Sequence, residues 1–282
     1  RDIGVTGVQT CALPIYVDNE LKKFFQKTAK IEIKEHVCVG STFENLKTEK
    51  DEEAEVMIVL KVKKNDITFH EDVPGYCCLK ANDDSPFADK KLANKSNFVL
   101  PEKLLSWFFG LVQKAINDVT SRNQENEANI RLSRYGPAVK MDFIDRGNSS
   151  NIAISLVPAF EYTEPNEHVI AEGYPSNASK KSHSDPMLLW KRSFSAKEKA
   201  LLSDMDKIDH GCRKELLRIV KSIIRKKSTF SKLTSYHLKA AFLFYKDSLG
   251  SDGEWHNDKL AERFLEFLKF LHGRLVEKLL PH

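Results

Sequence analysis

Two carboxylates one residue apart, Glu53 and Glu55, stand at the start of an apolar stretch, residues 56–60. Side chains alternate between the two faces of a β-strand, so both acids would point the same way. Two acids on one face are costly unless cations neutralise them, and hard oxygen ligands suit magnesium or manganese. The pair therefore indicates a divalent-metal site. The alternative on these residues alone is a solvated acidic strand end.

A glycine–serine pair, Gly40 and Ser41, precedes the acids in the stretch VGSTFENLK. Glycine lets the backbone approach a phosphate closely, and the amides of a helix start, with a serine hydroxyl, can hold one. Combined with the two acids, the pair predicts a site for a metal ion and a nucleoside triphosphate.

Apolar runs bounded by turn residues predict β-strands in the first part of the chain, at residues 56–62 and 76–80. Residues 31–39 are expected to form a short strand or a helix end. Pro101 opens a helix whose inner face includes Leu104, Phe108 and Val112. Two later apolar runs predict one β-hairpin, with strands at residues 131–144 and 152–160.

After Pro186 the spacing of apolar residues predicts four helices, at residues 196–205, 211–227, 233–245 and 257–280. The second of these has a predicted buried face of five residues, Cys212, Leu216, Ile219, Val220 and Ile223. Four basic residues lie opposite that face, Lys214, Arg218, Lys221 and Arg225.

Composition sets limits on the class of protein. The 282 residues are 41% hydrophobic, enough to bury a large core. No run of 18 or more apolar residues occurs, so we expect no membrane-spanning helix and no membrane partner. Of the five cysteines, the four that follow Cys11 are scattered and indicate reduced thiols in a cytoplasmic protein. The net charge of +4 permits a polyanionic partner without requiring one.

The first residues are set apart from the rest. Residues 5–15 read VTGVQTCALPI, which looks like the translation of a sequencing-adapter oligonucleotide. We therefore expect residues 1–15 to be an artefact and exclude them from the fold.

Six pieces in order carry a family resemblance: GSTFENLK, EAEVMIVLKV, the GPAVKM and LVPAFE hairpin, LLWKRSFSAKEKALL, CRKELLRIVKSII and KLTSYHLKAAFLFY. They resemble the nucleotidyltransferase family of cyclic GMP-AMP synthase, the cGAS-like receptors and the male-abnormal-twenty-one proteins. The resemblance implies a bilobed α/β nucleotidyltransferase core with a mixed sheet, at residues 16–160. A linker, 161–186, and a helical lobe, 187–282, would follow.

The resemblance also implies a mechanism and its residues. Three carboxylates would hold two divalent metal ions, magnesium or manganese, and the enzyme would join ATP and GTP into a cyclic dinucleotide. Glu53 and Glu55 match the first two acids. Seven residues match nucleotide-binding positions, with the Tyr236 ring stacking on a base: Gly40, Ser41, Lys191, Ser193, Lys221, Ser235 and Tyr236.

One position departs from the family pattern. The strand LVPAFE begins in relatives with the third acid, where this chain has Ser155. If the hairpin were centred between residues 148 and 149, Asp142 would lie opposite Ser155 and present its carboxylate instead. The alternative is that Asp142 is an exposed strand acid. Two classes of function stay open, a dinucleotide-forming enzyme and a catalytically silent relative that binds nucleotide, nucleic acid or protein.

The activating ligand is a second open question. Where the family has a zinc-binding insertion, this chain has only residues 206–211. His210 and Cys212 are two potential ligands, whereas a structural zinc site needs about four. We expect no zinc. Some relatives without the insertion sense double-stranded RNA, and Lys214, Arg218 and Arg225 are candidate contacts to its phosphates. The alternative is an ordinary solvated helix face. The sequence leaves the oligomeric state open.

Overall fold

The computed structural model describes residues 23–24, 31–48, 53–122, 129–144, 152–175, 184–249 and 255–277. Residues 1–15 lie outside this part of the chain. The chain divides into two units. The first comprises Arg1–Val39 and Glu52–Lys197, and the second comprises Gly40–Asp51 and Glu198–His282.

The first unit contains a mixed sheet. Among the described residues its strands are β1 Ile33–Val39, β2 Glu53–Leu60, β3 Ile67–Glu71, β4 Tyr76–Ala81, β5 Asn129–Tyr135, β6 Ala138–Ile144, β7 Ile152–Glu161, β8 His168–Ile170 and β9 Leu189–Ser193. The strands lie in the order β1-β2-β7-β8-β9-β4-β3, and β6 pairs with both β5 and β7. Only β2 and β7 among these pairs run parallel. Strands β2 and β4 confirm those predicted at residues 56–62 and 76–80, and β1 shows that residues 31–39, expected to be a strand or a helix end, contain a strand.

The region predicted as one long strand, residues 131–144, is in fact two. Strands β5 and β6 pair with each other, Tyr135 opposite Ala138, so the chain reverses at Gly136 and Pro137. Gly136 has φ +54°, a left-handed conformation that glycine adopts without steric cost. The predicted hairpin survives as the antiparallel pair β6–β7.

A helix and an aromatic cluster complete the core of this unit. Helix α1, Pro101–Arg122, starts at the predicted proline and buries Leu104, Phe108 and Val112, as its periodicity predicted. Elsewhere in the unit, the Phe87, Phe160 and Trp190 rings pack edge to face. The buried indole Nε1 of Trp190 donates a hydrogen bond to the Val99 carbonyl at 2.9 Å.

The second unit is helical, and the four predicted helices are confirmed. They are α2 Ser195–Asp209, α3 Cys212–Arg225, α4 Ser235–Leu249 and α5 Leu260–Val276, the first turn of α2 falling in the first unit. Their core includes Leu216, Phe242, Trp255 and Phe267, and Leu46 from the segment between β1 and β2 packs into the same cluster. None of the described helices is long and apolar enough to cross a membrane.

The buried face of α3 differs from the predicted one. Ile223, predicted inside, is 45% exposed, whereas Leu217 and Ile224 are buried together with the basic residues Lys214 and Lys221. The buried arc is therefore rotated toward the basic side of the helix. Leu46 and its neighbours cover that side, and a contact from so distant a part of the chain leaves no mark on the helix periodicity.

Candidate active site

Strand β2 presents Glu53 and Glu55 on one face, as the alternation of the strand requires. Its neighbour β7 runs parallel to it, with Glu55 in register with Ser155. The strand begins at Glu53, so both acids lie within the paired ladder. This geometry places the two carboxylates beside the position where the family's third acid was expected.

The same face carries a small apolar core further along the strands. Val39, Met57, Ala138 and Val157 are all buried there. The polar residues occupy the end of this face, and Glu53 is exposed where the strand begins. The core thus fixes the strand whose first residues carry the acids.

Ser155 is 3% exposed, and its hydroxyl donates a hydrogen bond to Glu53 Oε1. The side chain at the third-acid position therefore acts as a donor to the first acid. A carboxylate there would instead add a second negative charge beside Glu53.

Lys140 is the residue directly opposite Ser155 on β6, and Asp142 lies opposite Ala153. The expected pairing of Asp142 with Ser155 is wrong, because the β6–β7 register is shifted by two residues from the assumed one. Asp142 still shares the face of Lys140, since the two are two residues apart on one strand. The Lys140 ammonium lies 3.7 Å from Glu53 Oε2 and 3.8 Å from Asp142 Oδ1.

This donor set fits one divalent cation and does not fit two. The carboxylates of Glu53 and Glu55 supply the hard oxygen ligands that magnesium and manganese prefer. The remaining groups on the face are the Ser155 alcohol, the Lys140 ammonium and the Asp142 carboxylate. The ammonium lies 3.8 Å from Asp142 Oδ1, so a second ion would compete with Lys140 for its one anionic ligand. Within the described residues, no three His, Cys, Asp or Glu side chains are grouped to hold a metal.

In the second unit, Gly40 and Ser41 begin a hydrogen-bonded turn. Gly40 has φ +83°, and its carbonyl accepts from the amides of Phe43 at 3.1 Å and Glu44 at 3.0 Å. The left-handed conformation explains the glycine, because other residues adopt it only with strain. Residues 41–45 form turns, and this described segment contains no helix.

Lys221 of α3 anchors this turn. Although it is only 2% exposed, its ammonium donates to Ser41 Oγ at 2.6 Å and to the Leu46 carbonyl at 3.1 Å. A buried ammonium needs such partners, because desolvation of the charge is costly. The predicted phosphate-binding lysine therefore contacts the predicted phosphate-binding serine.

Lys239 of α4 holds the same turn from a second position. Its ammonium pairs with the buried Glu44 at 3.0 Å and with Glu198 at 2.6 Å. Burial disfavours the charged form, but the two carboxylates outweigh it and raise the pKa of Lys239 above its usual value. The segment 40–48 is thus tied to the helices by two buried lysines and by Leu46.

Arg225 links the segment to the start of α4. Its guanidinium donates to Thr48 Oγ1 at 2.9 Å and to Ser235 Oγ at 3.1 Å. Tyr236, the predicted base-stacking residue, is 41% exposed and packs edge to face with His237. Ser41, Lys221, Arg225 and Ser235 therefore belong to one polar group in the second unit.

Lys191 and Ser193, the other predicted nucleotide contacts, lie on β9 of the first unit. The Lys191 ammonium pairs with Glu172 at 2.9 Å. Ser193 is buried, and its hydroxyl donates to Ser195 Oγ at 3.3 Å.

The basic residues of α3 differ from one another in exposure. Lys214 is 7% exposed and pairs with Asp206, whereas Arg218 is exposed and pairs with Glu215. Arg225 is also exposed. Of the three residues proposed for nucleic acid, only Arg218 and Arg225 lie at the surface.

Sequence reasoning missed Lys140, Lys239 and Glu44. A signal for Lys140 existed, since it precedes Asp142 by two residues in GPAVKMD and must share its face. No local pattern signals the pairing of Glu44 with Lys239, which lie 195 residues apart.

Comparison with known proteins identifies the family. The model of the Mab-21 protein nucleotidyltransferase domain matches residues 42–204, and that of the Mab-21 protein HhH/H2TH-like domain matches residues 212–282. This chain belongs to the Mab-21 nucleotidyltransferase family. The predicted fold, a nucleotidyltransferase domain with a mixed sheet followed by a helical part, is confirmed by these matches.

Several Mab-21 relatives are named as receptors. Cyclic GMP-AMP synthase-like receptor 3 of Stylophora pistillata is 36% identical over 273 residues, which are 95% of this chain and 78% of that protein. A cyclic GMP-AMP synthase-like receptor of Aethina tumida is 26% identical, covering 88% of this chain and 68% of the relative. A cyclic GMP-AMP synthase-like receptor of Magallana gigas is 26% identical, and the match covers 89% of this chain and 46% of that relative.

Proposed function

We propose that the chain is a cGAS-like nucleotidyltransferase that joins ATP and GTP into a cyclic dinucleotide when it senses nucleic acid, with double-stranded RNA as the candidate ligand. The observation that carries the proposal is the common face of Glu53 and Glu55 on β2, beside β7. Family membership and the receptor relatives support it.

The carboxylates Glu53 and Glu55 would hold one divalent cation, magnesium or manganese. When bound, that ion would neutralise triphosphate charge and lower the pKa of the attacking ribose hydroxyl. Ser155 would orient Glu53 through its hydrogen bond.

The polar group of the second unit would bind the triphosphate and a base. Gly40 and Ser41 would approach phosphate oxygens, and the Lys221 ammonium at Ser41 would supply positive charge. Ser235 would donate to the nucleotide, and Tyr236 has the exposed ring area that stacking on a base requires. Lys191 and Ser193 would add contacts from β9.

Activation by RNA would use exposed basic residues of α3. Arg218 and Arg225 are exposed, and neutralising phosphates with arginine favours binding through counterion release. Lys214 would contribute only if its pair with Asp206 opened. The described cysteines are free thiols, in keeping with our proposal of a cytoplasmic protein.

A second candidate is a catalytically silent relative that binds nucleotide, nucleic acid or protein. The observation favouring it is the pair of residues at the third-acid position, Ser155 and Lys140. Neither supplies an anionic ligand, so the chemical step would lack part of its transition-state stabilisation.

Labelled ATP and GTP distinguish the two candidates. The chain is incubated with both nucleotides, Mg²⁺ or Mn²⁺ and double-stranded RNA, and the products are separated by chromatography. A cyclic product that disappears in a Glu53→Gln/Glu55→Gln variant supports the enzyme. Nucleotide binding by calorimetry without any product supports the silent relative, and the absence of both binding and product overturns the nucleotide assignment.

A further inference from the structure

We propose that Lys140 serves as a built-in cation that competes with divalent metal for the carboxylates of Glu53 and Asp142. This inference deepens the proposed function, since it concerns the metal affinity of the same site. It predicts that the chain binds one divalent ion weakly and that Lys140 sets this weakness.

The first support is position. Lys140 lies opposite Ser155 in the β6–β7 ladder, so its side chain shares the face of the acids. The side chain is 28% exposed, and its ammonium comes within 4 Å of both Glu53 and Asp142. A cation near these oxygens would meet the ammonium at close range.

The second support is charge. Three carboxylates on one face, those of Glu53, Glu55 and Asp142, would strongly repel one another without a cation. Lys140 removes one unit of that repulsion. The chain can therefore fold with the acids together in the absence of metal, and a metal ion gains less by binding.

The third support is the state of Glu53. One of its oxygens accepts the hydroxyl of Ser155, and the other faces Lys140. A metal ion that binds Glu53 must displace or share at least one of these partners.

Titration of Mn²⁺, followed by electron paramagnetic resonance without nucleotide, tests the proposal directly. The variant Lys140→Met keeps most of the side-chain stem and removes the charge. Removal of one unit charge about 4 Å from a metal ligand should tighten Mn²⁺ binding about tenfold. The variant Lys140→Arg keeps the charge and should stay within about twofold of the parent chain.

Lys61→Met is the matched control, because Lys61 also pairs with a glutamate, Glu32, at 2.6 Å. It should leave Mn²⁺ affinity unchanged. Equal affinity in Lys140→Met and Lys61→Met overturns the proposal, and so does the absence of Mn²⁺ binding in every variant. Thermal melts show whether each variant is folded, and an unfolded Lys140→Met is replaced by Lys140→Gln.

The outcome is separable from that of the proposed function. Tighter Mn²⁺ binding by Lys140→Met without any nucleotide binding supports the inference and rejects the synthase. If the chain synthesises a dinucleotide and Lys140→Met binds Mn²⁺ with the affinity of the parent chain, the synthase is supported and the inference is rejected.

Discussion

Lys140 and Ser155 face each other across the β6–β7 ladder, an ammonium and an alcohol at the position where an acid was expected. Their side chains share one face with Glu53, which contacts both. The first acid of the site is therefore neutralised by the chain itself. We therefore expect both Lys140 and the missing carboxylate at position 155 to affect catalysis.

Substituting an aspartate at position 155 tests whether Lys140 and the missing carboxylate together limit catalysis. In Ser155→Asp the new carboxylate would lie opposite Lys140 and pair with it, so we expect dinucleotide synthesis to rise about tenfold or less. In the double variant Ser155→Asp/Lys140→Met the acid is available to metal, and the rate should rise about a thousandfold, which corresponds to several kcal/mol of transition-state stabilisation. Initial rates with labelled ATP and GTP measure both. A single variant as active as the double one contradicts the coupling.

The variant Asp142→Asn tests whether Asp142 acts as the third metal ligand in place of residue 155. It lies opposite Ala153 and near Lys140, in a partly exposed pair worth no more than about 1 kcal/mol. Asp142→Asn should therefore change the rate of synthesis less than threefold or so, whereas Glu55→Gln should lower it about a hundredfold or more. If Asp142→Asn abolishes synthesis by an active parent chain, Asp142 is the third ligand.

Lys221 should matter for nucleotide affinity. Lys221→Met removes two hydrogen bonds and leaves Ser41 and the Leu46 carbonyl without their donor, at a cost of about 2 kcal/mol in unfolding free energy. ATP affinity, measured by calorimetry, should also fall about tenfold. Tyr245→Phe is the control for destabilisation, because it removes a hydrogen bond to Glu266 in the same unit. An equal loss of ATP affinity in both variants would mean that Lys221 acts through stability alone.

Arg218 should contribute to RNA binding. Arg218→Glu should weaken the binding of double-stranded RNA severalfold, and binding by the parent chain should fall steeply as salt rises. Arg274→Glu is the matched control, since Arg274 is another half-exposed arginine with a glutamate three residues away. Fluorescence anisotropy measures RNA binding by each variant. An equal loss of affinity in Arg218→Glu and Arg274→Glu would indicate general charge attraction rather than a site on α3.

His36 on β1 should make stability pH-dependent. Burial lowers its pKa to about 4, whereas the unfolded chain has a value near 6.5. The unfolded state therefore binds the proton first, so this contribution is complete above about pH 6.5 and is lost as the pH falls toward 4. Relative to His36→Gln, the unfolding free energy should drop by about 2 kcal/mol between pH 7 and pH 4, a value reduced because the residue as a whole is only partly buried. Denaturant titrations of both chains that run parallel over this range would contradict it.

The periodicity of the sequence correctly predicted features that depend on residues close together in the chain. The inner face of α1 and the common orientation of Glu53 and Glu55 follow from repeats of about 3.6 and two residues. The strand break at Gly136 was missed although the dipeptide Gly136–Pro137 is itself a turn signal.

Contacts between distant residues were beyond such reasoning. The buried arc of α3 depends on Leu46, and the position of Asp142 opposite Ala153 depends on the register between β6 and β7. The family resemblance named Ser41 and Lys221 separately, but only the structure shows that one donates to the other.

The segment 40–48 has a consequence for synthesis on the ribosome. Its turn, its Glu44 carboxylate and its Leu46 side chain emerge early, yet their partners Lys221 and Lys239 follow some 180 to 195 residues later. The second unit cannot complete its core until α3 and α4 have been translated, and long sequence separation slows folding. A fragment that begins at Glu198 would lack Leu46 and would leave Lys239 without Glu44. We therefore expect the helical unit to fold poorly as a contiguous fragment and to require residues 40–48 in the same chain.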